Sequence, residues 1–130
     1  MKNLSKSEEE LMAYLWQHEK CFLKDLITAY PEPRPAKTTI ATLLKRIQEK
    51  GFIAYQIFGN SRQYYPLINK EIYLNARFKE IISLHFNNSI PEFTSFITQT
   101  LKIERSELEK LKQTIDREVN LKRNKDAVFY

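Results

Sequence analysis

Glycine is nearly missing from this chain: its 130 residues hold only Gly51 and Gly59. A phosphate-cradling loop of the P-loop or G-x-G-x-x-G type needs clustered glycines, so neither nucleotide-binding pattern is present. Cysteine is rarer still, with Cys21 alone. That excludes an intrachain disulfide and a multi-cysteine metal site. His18 and His85, the only histidines, stand far apart, and His18-x-x-Cys21 has no second ligand pair. No grouping of nucleophile, base and acid supports catalysis, so the expectation is a non-enzyme with no metal and no cofactor. No apolar run approaches the roughly 20 residues of a membrane-spanning helix. The N-terminal MKNLSKSEEE lacks an apolar signal region, so no membrane insertion is expected and a reducing cytoplasm is the predicted location.

What is present organises itself around the two glycines. From Thr38 to Pro66 a helix-period segment, TTIATLLKRIQEK, closes at Gly51 and is followed by an alternating hairpin, FIAYQIFGNSRQYYP, that turns at Gly59-Asn60. Both glycines sit where a residue tolerant of positive φ is needed, a helix C′ position and a hairpin turn. A polar-faced helix followed by a basic hairpin is the reading head of a winged-helix DNA-binding domain. The net charge of +5 agrees with this in its placement: Arg34, Lys37, Lys45, Arg46, Lys50 and Arg62 face Glu49 alone between residues 34 and 62, and the rest of the chain sums to zero. A basic excess confined to one segment is the footprint of a nucleic-acid partner, whereas a solvated charged surface spreads it.

Ser5 and Glu8 have capping-box spacing, opening a helix with Leu11, Met12, Leu15 and Trp16 on one stripe. Trp16 completes that stripe and reads as core. Cys21 to Leu23 offers a minimal strand, and Leu23 to Ala29 a second helix with Leu26 and Ile27 inward; Pro31, Pro33 and Pro35 then enforce an extended connection. The third helix, about Lys37 to Lys50, buries Ile40, Leu43, Leu44 and Ile47. Its opposite face carries Thr38, Ala41, Thr42 and Lys45, flanked by Thr39 and Arg46. Such a short polar face suits a major groove, where Thr and Ala reach base edges and Lys or Arg reach guanine or phosphate. The alternative is a plain solvated surface, which usually carries more Glu. In the hairpin Arg62 is the candidate wing contact to phosphate or minor groove, while Tyr64 and Tyr65 read as packing.

After Pro66 the pattern becomes helical and aromatic. Residues 70 to 86 place Leu74, Phe78, Ile81, Ile82 and His85 on a stripe; Asn87-Asn88-Ser89 breaks it, and Pro91 suits a helix start. A second segment groups Phe93, Phe96, Ile97 and Leu101, and a third spaces Leu108, Leu111 and Ile115 like a heptad. Three such helices do not make a core alone but do so when two copies interlock. A domain of about 65 residues buries only roughly 60% of its unfolded surface, which makes dimerisation more useful still. The expected fold class is mainly α with a small β-hairpin wing: a winged helix-turn-helix at residues 1–68, then a helical dimerisation domain at 69–130 whose tail from Arg117 to Tyr130 frays.

Four blocks, LSKSEEELMAYLW (Leu4 to Trp16), TTIATLLKRIQEKGFI (Thr38 to Ile53), GNSRQYYPLI (Gly59 to Ile68) and KEIYL (Lys70 to Leu74), carry a resemblance to the penicillinase-repressor family of winged-helix regulators, which includes the β-lactamase, methicillin-resistance and copper-responsive repressors. The resemblance implies a homodimer that reads a palindromic double-stranded operator and represses transcription. It also implies recognition-helix roles for Thr38, Thr39, Ala41, Thr42 and Arg46 and a wing role for Arg62, with Lys37 and Lys45 on the same basic surface. Copper-responsive members carry paired C-terminal cysteines, and none occur here. The β-lactam-responsive members are cut at an Asn-Phe bond by a membrane sensor protease acting on the dimerisation domain; here the corresponding TSFITQ has Phe96-Ile97 and no Asn-Phe bond. The competing reading from another class is a protein-interaction winged helix whose hairpin docks a partner protein, disfavoured by an expected lack of large exposed apolar residues on the helix-wing face.

Overall fold

The computed structural model describes residues 1–128, except for the side chains of 127 and 128. Helix α1 (Lys6–His18) is followed by strand β1 (Cys21–Phe22), helices α2 (Leu23–Ala29) and α3 (Lys37–Glu49), strands β2 (Ile53–Phe58) and β3 (Ser61–Pro66), and helices α4 (Lys70–His85), α5 (Ile90–Thr100) and α6 (Arg105–Val128). The three strands form an antiparallel sheet in the order β1-β3-β2. This is a winged helix followed by a helical region, as the sequence predicts.

Local chemistry explains the element ends. The Ser5 hydroxyl accepts from the Glu8 N–H at 3.2 Å while the Glu8 carboxylate reaches back to the Ser5 N–H, the reciprocal capping box expected at this spacing. Asp25 caps α2 in a related way, accepting from the Phe22 N–H at 2.8 Å. Helix α3 ends at Gly51, whose φ of 84° is open to glycine at little cost. There the Phe52 N–H donates to the Ile47 carbonyl and the Gly51 N–H to the Gln48 carbonyl, the paired bonds of a Schellman ending. Its accompanying hydrophobic contact involves Ile47 and Phe52, both fully buried.

The core of the first compact unit, Met1–Glu80, joins Leu11, Met12 and Leu15 of α1, Leu26 of α2, the apolar stripe of α3, and Phe52, Ile53 and Tyr64 of the sheet. Each fully buried Leu or Ile contributes about 1.5–3 kcal/mol of transfer free energy. Tyr73 of α4 also lies in this core, at 1% exposure. Its hydroxyl donates to Glu9 at 2.7 Å and its ring contacts those of Trp16 and Phe52. Trp16 is anchored beside it by an Nε1–H bond to the Ile68 carbonyl at 2.8 Å. The first compact unit therefore extends to Glu80, inside α4, past the expected division after residue 68, because without Tyr73 the aromatic part of this core is incomplete.

The helical unit that begins at Ile81 holds the rest of α4 together with α5 and α6. Asn87 and Asn88 break the chain with φ of 51° and 60°, and Ser89 caps α5 through the Glu92 N–H. Phe86 packs against Phe93 and Phe96, with ring centroids 5.3 and 5.2 Å apart. The helix α6 runs to Val128, so the segment expected to fray from Arg117 is helical over its described residues; it lacks Gly and Pro and consists largely of strong helix formers. Phe129 and Tyr130, the end of that expected tail, lie outside the described residues.

One ion pair ties the first and third helices together. Lys50, at the C-terminus of α3, donates to both carboxylate oxygens of Glu8 at 2.8 and 2.7 Å and to the Asn3 carbonyl at 3.0 Å. Burial pushes the Glu8 carboxyl up, but the bond from Lys50, the Ser5 N–H and the Lys50 charge outweigh it, so the group is held below its ordinary value. A depressed carboxylate stabilises the fold above its ordinary range and loses that contribution as pH falls through the folded value. Lys50→Met should cost about 3 kcal/mol at neutral pH by stranding the buried carboxylate. Urea unfolding followed against pH should show this deficit shrinking as acid protonates Glu8; a deficit independent of pH would contradict the pairing.

Candidate nucleic-acid interface

The outward face of α3 is built by the same periodicity that buries its inward one. Lys37, Thr38, Thr39, Ala41, Thr42, Lys45 and Arg46 are all exposed, opposite the buried Ile40, Leu43, Leu44 and Ile47. The helix starts at Lys37 after Ala36, which offers no side-chain cap, and its first turn contains no acid. Its initial N–H groups and positive dipole end are thus left for an anion. Thr42 donates its hydroxyl to the Thr38 carbonyl at 2.9 Å, so its hydrogen is spent within the helix.

The wing is a two-residue hairpin pairing Phe58 with Ser61 and Ile57 with Arg62. Gly59 takes the first loop position with φ of 61°, the sign required there by a type II′ turn. Arg62 is exposed near the tip, its guanidinium 4.4 Å from the Tyr55 ring centroid. A hydrogen bond with Tyr64, and the nearness of Tyr55 and Tyr64, raise the Arg62 pKa above its ordinary value, which keeps the group charged. Tyr64 is buried, as a packing residue should be; Tyr55 is half-buried.

A groove between the wing and the starts of α2 and α3 brings Lys37 and Arg62 together, with Lys24, Asn60 and Ser61 also lining it. Sequence reasoning missed Lys24, whose position two residues after β1 and in the first turn of α2 is a usable signal only once β1 is known to pair with β3. Two basic residues counted with the reading head are engaged elsewhere: Lys50 with Glu8, and Arg34 with the Tyr30 carbonyl at 3.2 Å and with Glu32. The wing also departs from expectation in carrying large exposed apolar side chains, Ile57 at 69% and Phe58 at 52%. Phe58 lies edge-on to Phe22 at 6.3 Å, and Ile57 projects at the tip because the strands run on past the core. Cys21 is buried, and burial, followed by the Asp25 charge, pushes its thiol up to about 11, leaving it unreactive at neutral pH. Among the described residues no group of three His, Cys, Asp or Glu side chains is placed to hold a metal ion. No helix among them is long and apolar enough to cross a membrane.

The signature of the penicillinase repressor family matches residues 4–117. The chain belongs to that family. Its members are DNA-binding transcriptional repressors rather than enzymes. Among solved structures, the DNA-binding domain of the repressor BlaI is 27% identical, covering 56% of this chain and 94% of that one, with a TM-score of 0.49. The CopR repressor is 25% identical over 52% of this chain and 100% of that one, with a TM-score of 0.44. MepR, a transcription regulator of the Staphylococcus aureus multidrug efflux pump MepA, shares the fold: 18% identity, 91% of this chain, 79% of that one and a TM-score of 0.50. No curated protein matches the chain.

For this member of the family, the residues expected at a dimer interface divide into two groups. Leu74 packs against the winged-helix core, as part of the first unit. Phe78, Phe96, Leu108, Leu111 and Ile115 are exposed, and Ile81, Ile82, Phe93 and Ile97 are half-buried. Among the described residues from Ile81 onward not one is buried.

The wing geometry depends on Gly59, where an added Cβ would meet nothing within 4 Å. Gly59→Ala should therefore cost only the left-handed backbone penalty, about 1 kcal/mol. Thermal unfolding checks this; a loss of several kcal/mol would mean that the turn is packed against something.

Proposed function

We propose that this protein is a cytoplasmic transcriptional repressor that binds a palindromic promoter operator as a homodimer and acts by occluding polymerase. The observation that carries this reading is the exposed face of α3, short and polar, standing with its uncapped N-terminus beside a groove that Lys37, Lys24 and Arg62 line. Thr38, Thr39, Ala41, Thr42 and Arg46 read base edges in the major groove; Lys37, Lys45 and Arg62 neutralise phosphates, Arg62 from the wing. The pattern of the helical unit supports the second copy. The segment from Ile81, more than 40 described residues with no buried side chain and with Phe96, Leu108, Leu111 and Ile115 exposed on it, has apolar surface that a partner copy covers; Phe78, at the end of the first unit, is half exposed as well. Half-buried Ile81, Ile82, Phe93 and Ile97 add to the apolar content of that unit, while Leu74 packs against the winged-helix core.

Exposed Ile57 and Phe58 favour a second reading, in which the hairpin docks a partner protein. The cations around them weigh toward DNA, and salt separates the two. The membrane sensor protease implied by family resemblance is no part of this proposal: Thr94 to Gln99 lie within α5 and contain no Asn-Phe bond.

A dimer making about 6–8 phosphate contacts should lose affinity with a log–log salt slope of roughly −5 to −7. On sites selected from a random duplex pool, replacing Thr42 or Arg46 should cost about 1–3 kcal/mol at particular base pairs, while Lys45→Ala weakens all duplexes alike. A slope near zero transfers the function to the protein-docking reading.

Truncation after Glu80, which keeps Tyr73 in the core, should give a folded monomer that retains weak DNA affinity and loses operator selectivity. Sedimentation equilibrium of the full chain and the truncated form decides this. A monomeric full-length protein at micromolar concentration would overturn the dimer.

A further inference from the structure

The wing arginine is not a free side chain. Cross-strand pairing sets Tyr55 opposite Tyr64 and Ile57 opposite Arg62, so Arg62, Tyr55 and Tyr64 share one face of the hairpin. The two tyrosine rings lie 5.7 Å apart, and the Arg62 guanidinium sits 4.4 Å from the Tyr55 centroid. The inner end of this stack is fixed, because Tyr64 is 8% exposed and belongs to the core.

We propose that Tyr55 and Tyr64 are positioning residues that hold Arg62 in the orientation used against DNA, so that the wing delivers a preset guanidinium rather than a mobile one. This rests on the DNA-binding reading above. The physical reason is entropic and geometric together. A free arginine loses rotamer freedom when it docks, a cost of about 0.5–1.5 kcal/mol, or roughly 2–12-fold in affinity, that prior ordering removes. Stacking on an aromatic face occupies the plane of the guanidinium and leaves its edge, where the N–H donors lie, directed outward. Tyr64 backs the Tyr55 ring from the core side, 5.7 Å away, so the stacked guanidinium keeps its N–H edge for phosphate or a minor-groove acceptor.

The test has two arms. In the free full-length protein, NMR should show Arg62 side-chain protons shifted upfield by the Tyr55 ring. Tyr55→Leu should abolish the shift and Tyr55→Phe retain it; no shift in the wild type overturns the proposal without any reference to DNA. In the second arm, binding to a short random-sequence duplex at low salt should fall about 3–10-fold for Tyr55→Leu, be preserved by Tyr55→Phe, and show no further loss when Tyr55→Leu is added to Arg62→Ala. Equal losses from Tyr55→Leu with and without Arg62 would overturn the proposal, making Tyr55 a separate DNA contact or a support of the hairpin. Failure of the wild type to bind any duplex would instead overturn the DNA reading, with the stack still judged by the first arm.

Discussion

One left-handed residue joins the helix proposed to read DNA to the wing beside it. Gly51 lets α3 stop, satisfies its last carbonyls through the Gly51 and Phe52 N–H groups, and turns the chain so that Phe52 enters the core and β2 can start at Ile53. The direction of the hairpin relative to α3 follows from that turn. A residue with a Cβ would meet no neighbour there but would carry the strain of φ near 84°. Everything on the wing, including the placement of Arg62 near Lys37, is downstream of this one backbone conformation.

Charge is divided between two roles that composition does not distinguish. Lys50 belongs to the same basic run as Lys45 and Arg46, yet it closes a buried bond to Glu8 that also serves as the capping residue of α1. The pair couples the start of α1 to the end of α3 and removes one cation from the outward face. Tyr73 performs a comparable service for α4, satisfying its hydroxyl with Glu9 and filling the space between Trp16 and Phe52. The first turns of a helix whose sequence looks like part of the second unit are by these contacts part of the first.

Periodicity made most of this fold legible in the sequence. The capping box, the α3 stripe, both glycine positions and the Asn87-Asn88 break depend on neighbours within about six residues, and α2 runs over Leu23–Ala29 as expected from its pattern. What escaped the sequence depends on distant partners. The Lys50–Glu8 bond spans 42 positions and the Tyr73–Glu9 bond 64, and no local pattern marks either. The same limitation explains Lys24, whose place beside the wing is created by strand pairing, and Leu74, which packs against a core that the chain reaches only by folding. The helical run from Arg117 is hard to see for another reason: its polarity suggests a fraying tail, while its helix propensity is high.

The internal bond of Thr42 bears on what this helix can discriminate. With its hydroxyl hydrogen engaged by the Thr38 carbonyl, the side chain presents a methyl group and an oxygen able only to accept. Set against a major-groove edge, that combination matches the exocyclic amine of adenine or cytosine and the methyl of thymine, and finds no partner in the two acceptors of guanine. A hydroxyl is usually credited with indifference among bases because it can turn either way. Here the helix backbone has made the choice in advance, so that in the proposed DNA-reading role a threonine at this position would select by what it declines to donate.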